Sequence, residues 1–271
     1  MNNSLINIIY NLPLSNKLPG FIRKKLLKNN NITFIPTKLD RLPKNSYAIQ
    51  NSIEHQENII ETFNNANKLS FNTFLDLKLI LKEKYELNSS FNFLDFGGDK
   101  LDFYLDISKE FKNINYFLIN LPEVNNVIRS VKNKYNFKNL TILNDLNELN
   151  KYNYDFTYFG SSLQYVNNYE NYLSTILPLT KNYILISATH FFTSNYSLKQ
   201  IVVKQLNLLP KIFFLYFFNL NNFLVFFKNY NFKIEFNKIN IECITNHDIF
   251  DHLKIENIKY SDILFSKKNL I

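Results

Sequence analysis

Residues 91–119 read FNFLDFGGDKLDFYLDISKEFKNINYFLI. The first six are a short aromatic-rich apolar run, the two adjacent glycines Gly97 and Gly98 close it, residues 101–111 carry apolar positions at helical spacing, and Ile114 to Ile119 form a second apolar run. Strand, tight turn, helix and strand in about thirty residues make a βαβ unit, which requires a parallel pair with a right-handed crossover. The turn is the informative part. Gly is the residue used where the backbone takes φ > 0 or lies close against a ligand, and this chain has only four, at Gly20, Gly97, Gly98 and Gly160.

The alternation continues outward from this unit. Residues 122–135 read as a helix with Pro122 in its first turn, 140–143 as a strand, 154–159 as a strand, 169–177 as a helix and 183–187 as a strand. This pattern predicts an open, doubly wound, mostly parallel α/β sheet of the Rossmann type. Residues 219–229 look helical, 232–243 alternate apolar and polar, and 255–265 offer a last strand, so the sheet is expected to end in an antiparallel pair at one edge. Upstream, apolar positions including Ile59, Ile60, Phe63, Leu77 and Leu81 predict two helices between 52 and 87 that meet near Ser70. Residues 1–87 are therefore read as an irregular and helical extension, and 88–271 as the Rossmann-like domain.

Composition narrows the function. With 271 residues and 46% hydrophobic content the chain can bury a sizeable core. The 27 Phe, 17 Tyr, absent Trp and an Asn content of about one residue in six suggest AT-rich coding. The net charge of +8 is then a weak signal. Only Arg23, Arg41 and Arg129 among the 31 basic residues are Arg, whereas a phosphate-gripping surface favours Arg, so a nucleic-acid partner is not expected. The basic run at 22–28 is read as a solvated helix face. A single cysteine, Cys243, rules out an internal disulfide and agrees with a cytoplasmic protein. Residues 212–227 are apolar but carry Asn219, Asn221 and Asn222. They are too short and too polar to span a bilayer, and are read as a buried helix pair, with a peripheral membrane contact as the minority reading.

Candidate site residues cluster where predicted strands end. Asp95 precedes the glycine pair, where a carboxylate can meet a cationic amino group. Asn120 follows the second strand, about 22 residues beyond Gly98, near the spacing at which such folds place a ribose-binding acid. Asp145 follows the third strand and can accept from an exocyclic amine or cap a helix. Gly160, Ser161 and Ser162 follow the fourth strand. His190 follows the fifth and is the first candidate for a general base. Cys, His and carboxylate spacing suggests no metal site. A nicotinamide-dependent oxidoreductase would share the fold, but the chain lacks G-x-G-x-x-G and has no Tyr followed four residues later by Lys.

The order LDFGG (94–98), INLPE (119–123), YDFTYFGSSLQYV (154–166) and YILIS (183–187) resembles the class I S-adenosylmethionine-dependent methyltransferases. More narrowly it is similar to a bacterial family of methyltransferase-like proteins often encoded beside surface-polysaccharide biosynthesis genes. In that family Asp-Phe-Gly-Gly follows the first strand and a Leu-Gln-Tyr segment the fourth. The resemblance implies a seven-stranded sheet ending in an antiparallel hairpin, S-adenosylmethionine as cofactor, and a small-molecule or sugar-linked acceptor. It also implies residue roles: Asp95, Gly97 and Gly98 at the methionine moiety, Asn120 at the ribose, Asp145 at the adenine edge, and Gly160 to Ser162 beside the sulfonium. The usual third glycine of the loop is replaced in the region of Asp99 and Lys100, and the ribose acid is Asn120. A catalytically degenerate scaffold or binding subunit is the alternative these two departures suggest.

Overall fold

The computed structural model describes residues 34–37, 52–66, 75–194, 198–205, 213–242, 253 and 255–268. In chain order its elements are β1 (Phe34–Thr37), α1 (Ile53–Ala66), α2 (Leu75–Lys84), β2 (Phe91–Phe96), α3 (Asp102–Glu110), β3 (Ile114–Ile119), α4 (Pro122–Tyr135), β4 (Leu140–Leu143), α5 (Leu146–Leu149), β5 (Tyr154–Gly160), a 3-10 turn (Leu163–Tyr165), α6 (Tyr169–Leu179), β6 (Thr180–Thr193), β7 (Gln200–Gln205), β8 (Phe213–Asn219), α7 (Leu220–Asn229), β9 (Phe232–Glu242) and β10 (Glu256–Lys267). The expectations for Gly20, the basic run at 22–28, Ser70 and Cys243 lie outside the described residues.

Strands β4, β3, β2, β5 and β6 lie side by side in that order and are parallel. Beyond β6, β10 runs antiparallel, and β9 pairs antiparallel with β10. The expected parallel sheet with an antiparallel edge hairpin is therefore present. It sits inside a larger sheet of ten strands. The cause is a difference in strand length: β5 ends at Gly160, opposite Ser187, while β6 runs on to Thr193. Its freed edge is taken by β8, which pairs in parallel at Phe191 and Phe192, and β8 carries β7 and then β1 as an antiparallel extension.

Residues 213–227, the described part of the 212–227 run, therefore do not form a helix pair. The described part divides into strand β8 and helix α7, with the Asn219 side chain capping the helix by accepting from the amides of Asn221 (3.0 Å) and Asn222 (3.3 Å). A continuous aromatic run buried on both faces has no period that separates strand from helix. The edge offered by β6 decides it.

Period-2 alternation sorts the aromatic side chains onto the two faces of the sheet. Phe91, Phe93, Tyr116 and Leu118 join Ile60, Leu81, Phe103 and Ile128 beneath α1–α4. Leu94, Phe96, Phe117 and Ile119 join Leu173, Ile176, Phe223 and Phe227 beneath α6 and α7. A third cluster, with Phe34, Val203, Leu215 and Phe217, packs the added strands. Among the described residues no helix is long and apolar enough to cross a membrane.

The long β6 bends where β5 stops. Ala188 has a left-handed φ of 53°, and Ser187 and Ala188 together face the single residue Asp262 of β10, which makes a β-bulge. The Asp262 carboxylate holds it by accepting from Ser187 Oγ and from the Ala188 amide, both at 2.6 Å. Because hydrogen bonds to a charged group are worth about 1.5–3 kcal/mol, Asp262→Ala should lower the urea midpoint by an amount equivalent to roughly 2–3 kcal/mol. Ala188→Gly removes a β-carbon from a left-handed residue and should not lower stability. Urea unfolding of the two variants beside the parent checks both.

Candidate functional site

The carboxyl ends of β2, β3 and β5 converge on Gly97. Its φ of +85° is available without strain only to glycine, its amide donates to Ile119 O at 2.8 Å, and a β-carbon there would collide with the Ser162 side chain. Ser162 in turn donates from its hydroxyl to the Phe96 carbonyl, tying the end of β5 to the end of β2. At Gly98 a β-carbon would meet the carboxylate of Asp95, which lies directly against the turn.

Asp95 is the electrostatic centre of this corner. Only 3% of it is exposed, and it accepts from the Tyr116 hydroxyl at 2.6 Å. Burial pushes its carboxyl up to about 7. The Tyr116 bond opposes that rise, while the nearby charges of Asp99 and Asp102 add to it. Asp102, buried in the first turn of α3, is also raised by burial, and its carboxylate accepts from the Phe103 amide at 2.7 Å.

Asn120 leans back over the turn. Its Nδ2 donates to Gly98 O (2.8 Å), and its Oδ1 accepts from the Leu121 amide (2.7 Å). Asn125, buried on α4, bridges the ends of β3 and β4. It donates to Asn120 O (3.0 Å) and Leu143 O (2.8 Å), and accepts from the Asn120 amide (3.1 Å). Asp145 stands further out, exposed, as the cap of α5. It accepts from the amides of Asn147 (2.8 Å) and Glu148 (3.2 Å), both through Oδ1, so capping does not consume Oδ2.

A second group follows β5. The Tyr158 ring lies across Gly160, and Ser161 takes a left-handed φ of 55° while its amide donates to Ser187 O at 2.9 Å. Gln164, buried in the 3-10 turn, donates from Nε2 to Ser161 Oγ (3.1 Å) and presents Oε1 to His190 Nδ1 (2.7 Å). That arrangement makes Nδ1 the donor nitrogen of the imidazole. His190 is 5% exposed, stacked on Phe217 (centroids 4.7 Å apart) and edge-on to Phe34 (4.9 Å). Burial lowers its pKa to about 3. An imidazole held neutral in this way is a weak proton acceptor at neutral pH, because an effective general base has a pKa near the working pH.

Asp95, Gly97, Gly98, Asn120 and Ser162 thus meet in one corner, Asn120 and Ser162 bound to the turn by hydrogen bonds and Asp95 packed against it. Gly160, Ser161 and His190 form the adjoining wall, and Asp145 is linked only through the strand ends that Asn125 spans. Four residues were not picked out from the sequence. Tyr116 lies on the same face as Asp95, two positions along the register of the neighbouring strand, so period 2 could have found it. Gln164 was inside a quoted motif. Asn125 had no signal beyond being polar on an apolar helix face. Gln56 was equally quiet, since it precedes Ile60 and Phe63 at helical spacing; its amide reaches the loop after Gly98, donating to Asp99 O and accepting from the Leu101 amide, both at 2.9 Å.

No protein-family model matches the sequence, and no curated protein matches it. Solved structures do match in shape. The N-terminal domain of EvdMO1, crystallised in the presence of SAH and D-fucose, superposes with a TM-score of 0.50 at 11% identity over 74% of this chain and 84% of that one. The 1,6-didemethyltoxoflavin-N1-methyltransferase of Burkholderia thailandensis, with bound 1,6-didemethyltoxoflavin and S-adenosylhomocysteine, gives 0.49 at 12% identity over 87% and 95%. An S-adenosylmethionine-dependent methyltransferase from Clostridium acetobutylicum gives 0.48 at 11% over 80% and 99%. At such identities the similarity is one of fold. The chain has a Rossmann-like fold.

The buried carboxylate gives a stability test. A carboxyl raised from the ordinary value to about 7 binds its proton more tightly in the folded state, so the cost of ionising it grows between about pH 4 and pH 7 and is constant above. Asp95→Asn should therefore gain stability relative to the parent across that window, reaching roughly 2–4 kcal/mol, with no further gain at pH 8–9. Urea midpoints of the two proteins against pH measure it.

Proposed function

We propose that the protein transfers a methyl group from S-adenosylmethionine to a small-molecule acceptor. The observation that carries this reading is Asp95: a buried carboxylate set against a glycine turn at the end of the central strand, in a place where its ionised form gains most from a cationic partner. The amino group of the cofactor's methionine moiety is such a partner. When bound, the cofactor supplies a methyl group on a sulfonium, which is transferred by in-line displacement.

In this reading Asp95 orients the amino group while the Gly97–Gly98 backbone approaches the methionine moiety. Asn120 meets the ribose with what remains of its carbonyl oxygen, Asp145 uses Oδ2 toward the exocyclic amine, and Gly160, Ser161 and Ser162 line the side facing the transferred methyl. Displacement of this kind depends chiefly on positioning. His190 is not assigned the role of base: its neutral ring, through Gln164, fixes the hydroxyl of Ser161. A sugar or sugar-linked acceptor, and with it a place in surface-polysaccharide synthesis, is the finer form of the proposal. It is supported by the DFGG and LQY resemblance. A cytoplasmic location and a division at 87/88 into extension and catalytic domain complete it.

Asn120 favours one competing reading. Its amide is already committed to Gly98 O and the Leu121 amide, as in a site that has closed on itself, so a scaffold with this fold is the second reading.

Millimolar S-adenosylmethionine or its demethylated product should raise the melting temperature by several degrees, since a ligand at a hundred times its Kd adds about 2.7 kcal/mol. Asp95→Ala should show no such rise. A folded parent protein that does not shift supports the scaffold. Affinity should also fall about tenfold per pH unit below pH 7, as Asp95 takes up its proton; calorimetric titration at pH 5.5, 6.5 and 7.5 measures this.

A further inference from the structure

Where Gly-rich loops of nucleotide-binding sheets have a third glycine, this chain has Asp99 and Lys100, both exposed. The loop is nevertheless fixed at four backbone points. The Gly97 amide bonds Ile119 O, Gly98 O accepts from Asn120, and the last two points, Asp99 O and the Leu101 amide, belong to Gln56. One carboxamide thus satisfies an acceptor and a donor two residues apart, which fixes the path between them.

Gln56 is fully buried and sits on the same face of α1 as Ile60, which enters the core. A leucine there would pack without the cost of burying an amide. Leu101, the capping position just before α3, makes no side-chain cap of its own, and Gln56 binds its amide from a different segment of the chain. Helix α1 is held in turn by Glu57, which pairs with Lys134 of α4 at 2.7 Å.

We infer that Gln56 is a positioning residue for the cofactor loop, and that the helix preceding the Rossmann-like domain is a working part of the cofactor site. The extension holds the loop from outside by hydrogen bonds, in place of the backbone freedom of a third glycine. This inference rests on the methyltransferase reading.

Two variants test it. Gln56→Leu keeps the volume and loses both bonds. Gln56→Glu keeps the acceptor for the Leu101 amide and loses the donor to Asp99 O. The expected results with the demethylated cofactor are at least a tenfold rise in Kd for Gln56→Leu and a smaller rise for Gln56→Glu. Faster hydrogen exchange at the Leu101 amide should follow the same order. Once an acceptor is in hand, KM for S-adenosylmethionine should rise with kcat at saturation near the parent's, a split that general destabilisation would not give. If the parent binds and both variants that fold bind within twofold of it, Gln56 is only a packing residue and the inference fails while the methyltransferase reading stands. If the parent does not bind at millimolar ligand, the reading itself falls and the inference with it. Should Gln56→Leu not fold, Gln56→Glu alone decides, with binding and Leu101 exchange both equal to the parent's as the overturning result.

Discussion

Three strands finish at a single α-carbon. Strand β2 leads into Gly97, β3 accepts its amide at Ile119, and the Ser162 side chain after β5 fills the space a β-carbon would need. Everything at the rim follows from that convergence. With Gly97 left-handed, Gly98 turns under the Asp95 carboxylate, and its carbonyl faces Asn120. Ser162, drawn in to Phe96, sets the start of the turn that carries Gln164 to His190. A side chain at position 97 would separate the strand ends and leave the polar groups around them without partners.

The parallel core was legible because its cause is local. Alternating strand and helix periods between 91 and 187, with glycines at strand ends, leave few arrangements other than a doubly wound sheet. The antiparallel ending was legible for the same reason. What escaped depends on distant neighbours. The run at 213–219 is a strand only because β6 outruns β5 and offers an unpaired edge, a fact about two other strands. His190 reads from the sequence as a histidine at a strand end; its burial against Phe34 and Phe217 depends on the added strands. Asn120 follows β3 at the rim, but its commitment to Gly98 depends on how closely the loop folds back.

The composition that first reads as a coding bias has been put to structural use. Asn is a costly residue in the interior unless its amide is satisfied, and several of these are. Asn125 makes three bonds between strand ends, and Asn219 caps α7. Phe and Tyr likewise fill both faces of the sheet. The abundance of these types makes any single Asn, Phe or Tyr uninformative in the sequence, whereas the rare glycines Gly97, Gly98 and Gly160 mark strand ends where a β-carbon would collide with a neighbouring side chain.

The unequal lengths of β5 and β6 also bear on how such a fold diversifies. A strand that continues past its neighbour exposes an edge at which new backbone can dock without disturbing the pairing already made. Here β7 and β8 form an excursion between β6 and α7, and β1 comes from the far end of the chain to close it. The five parallel strands keep their order and pairing, and the added strands attach only where β6 outruns β5, so the graft can vary in length and sequence without disturbing the turn at Gly97.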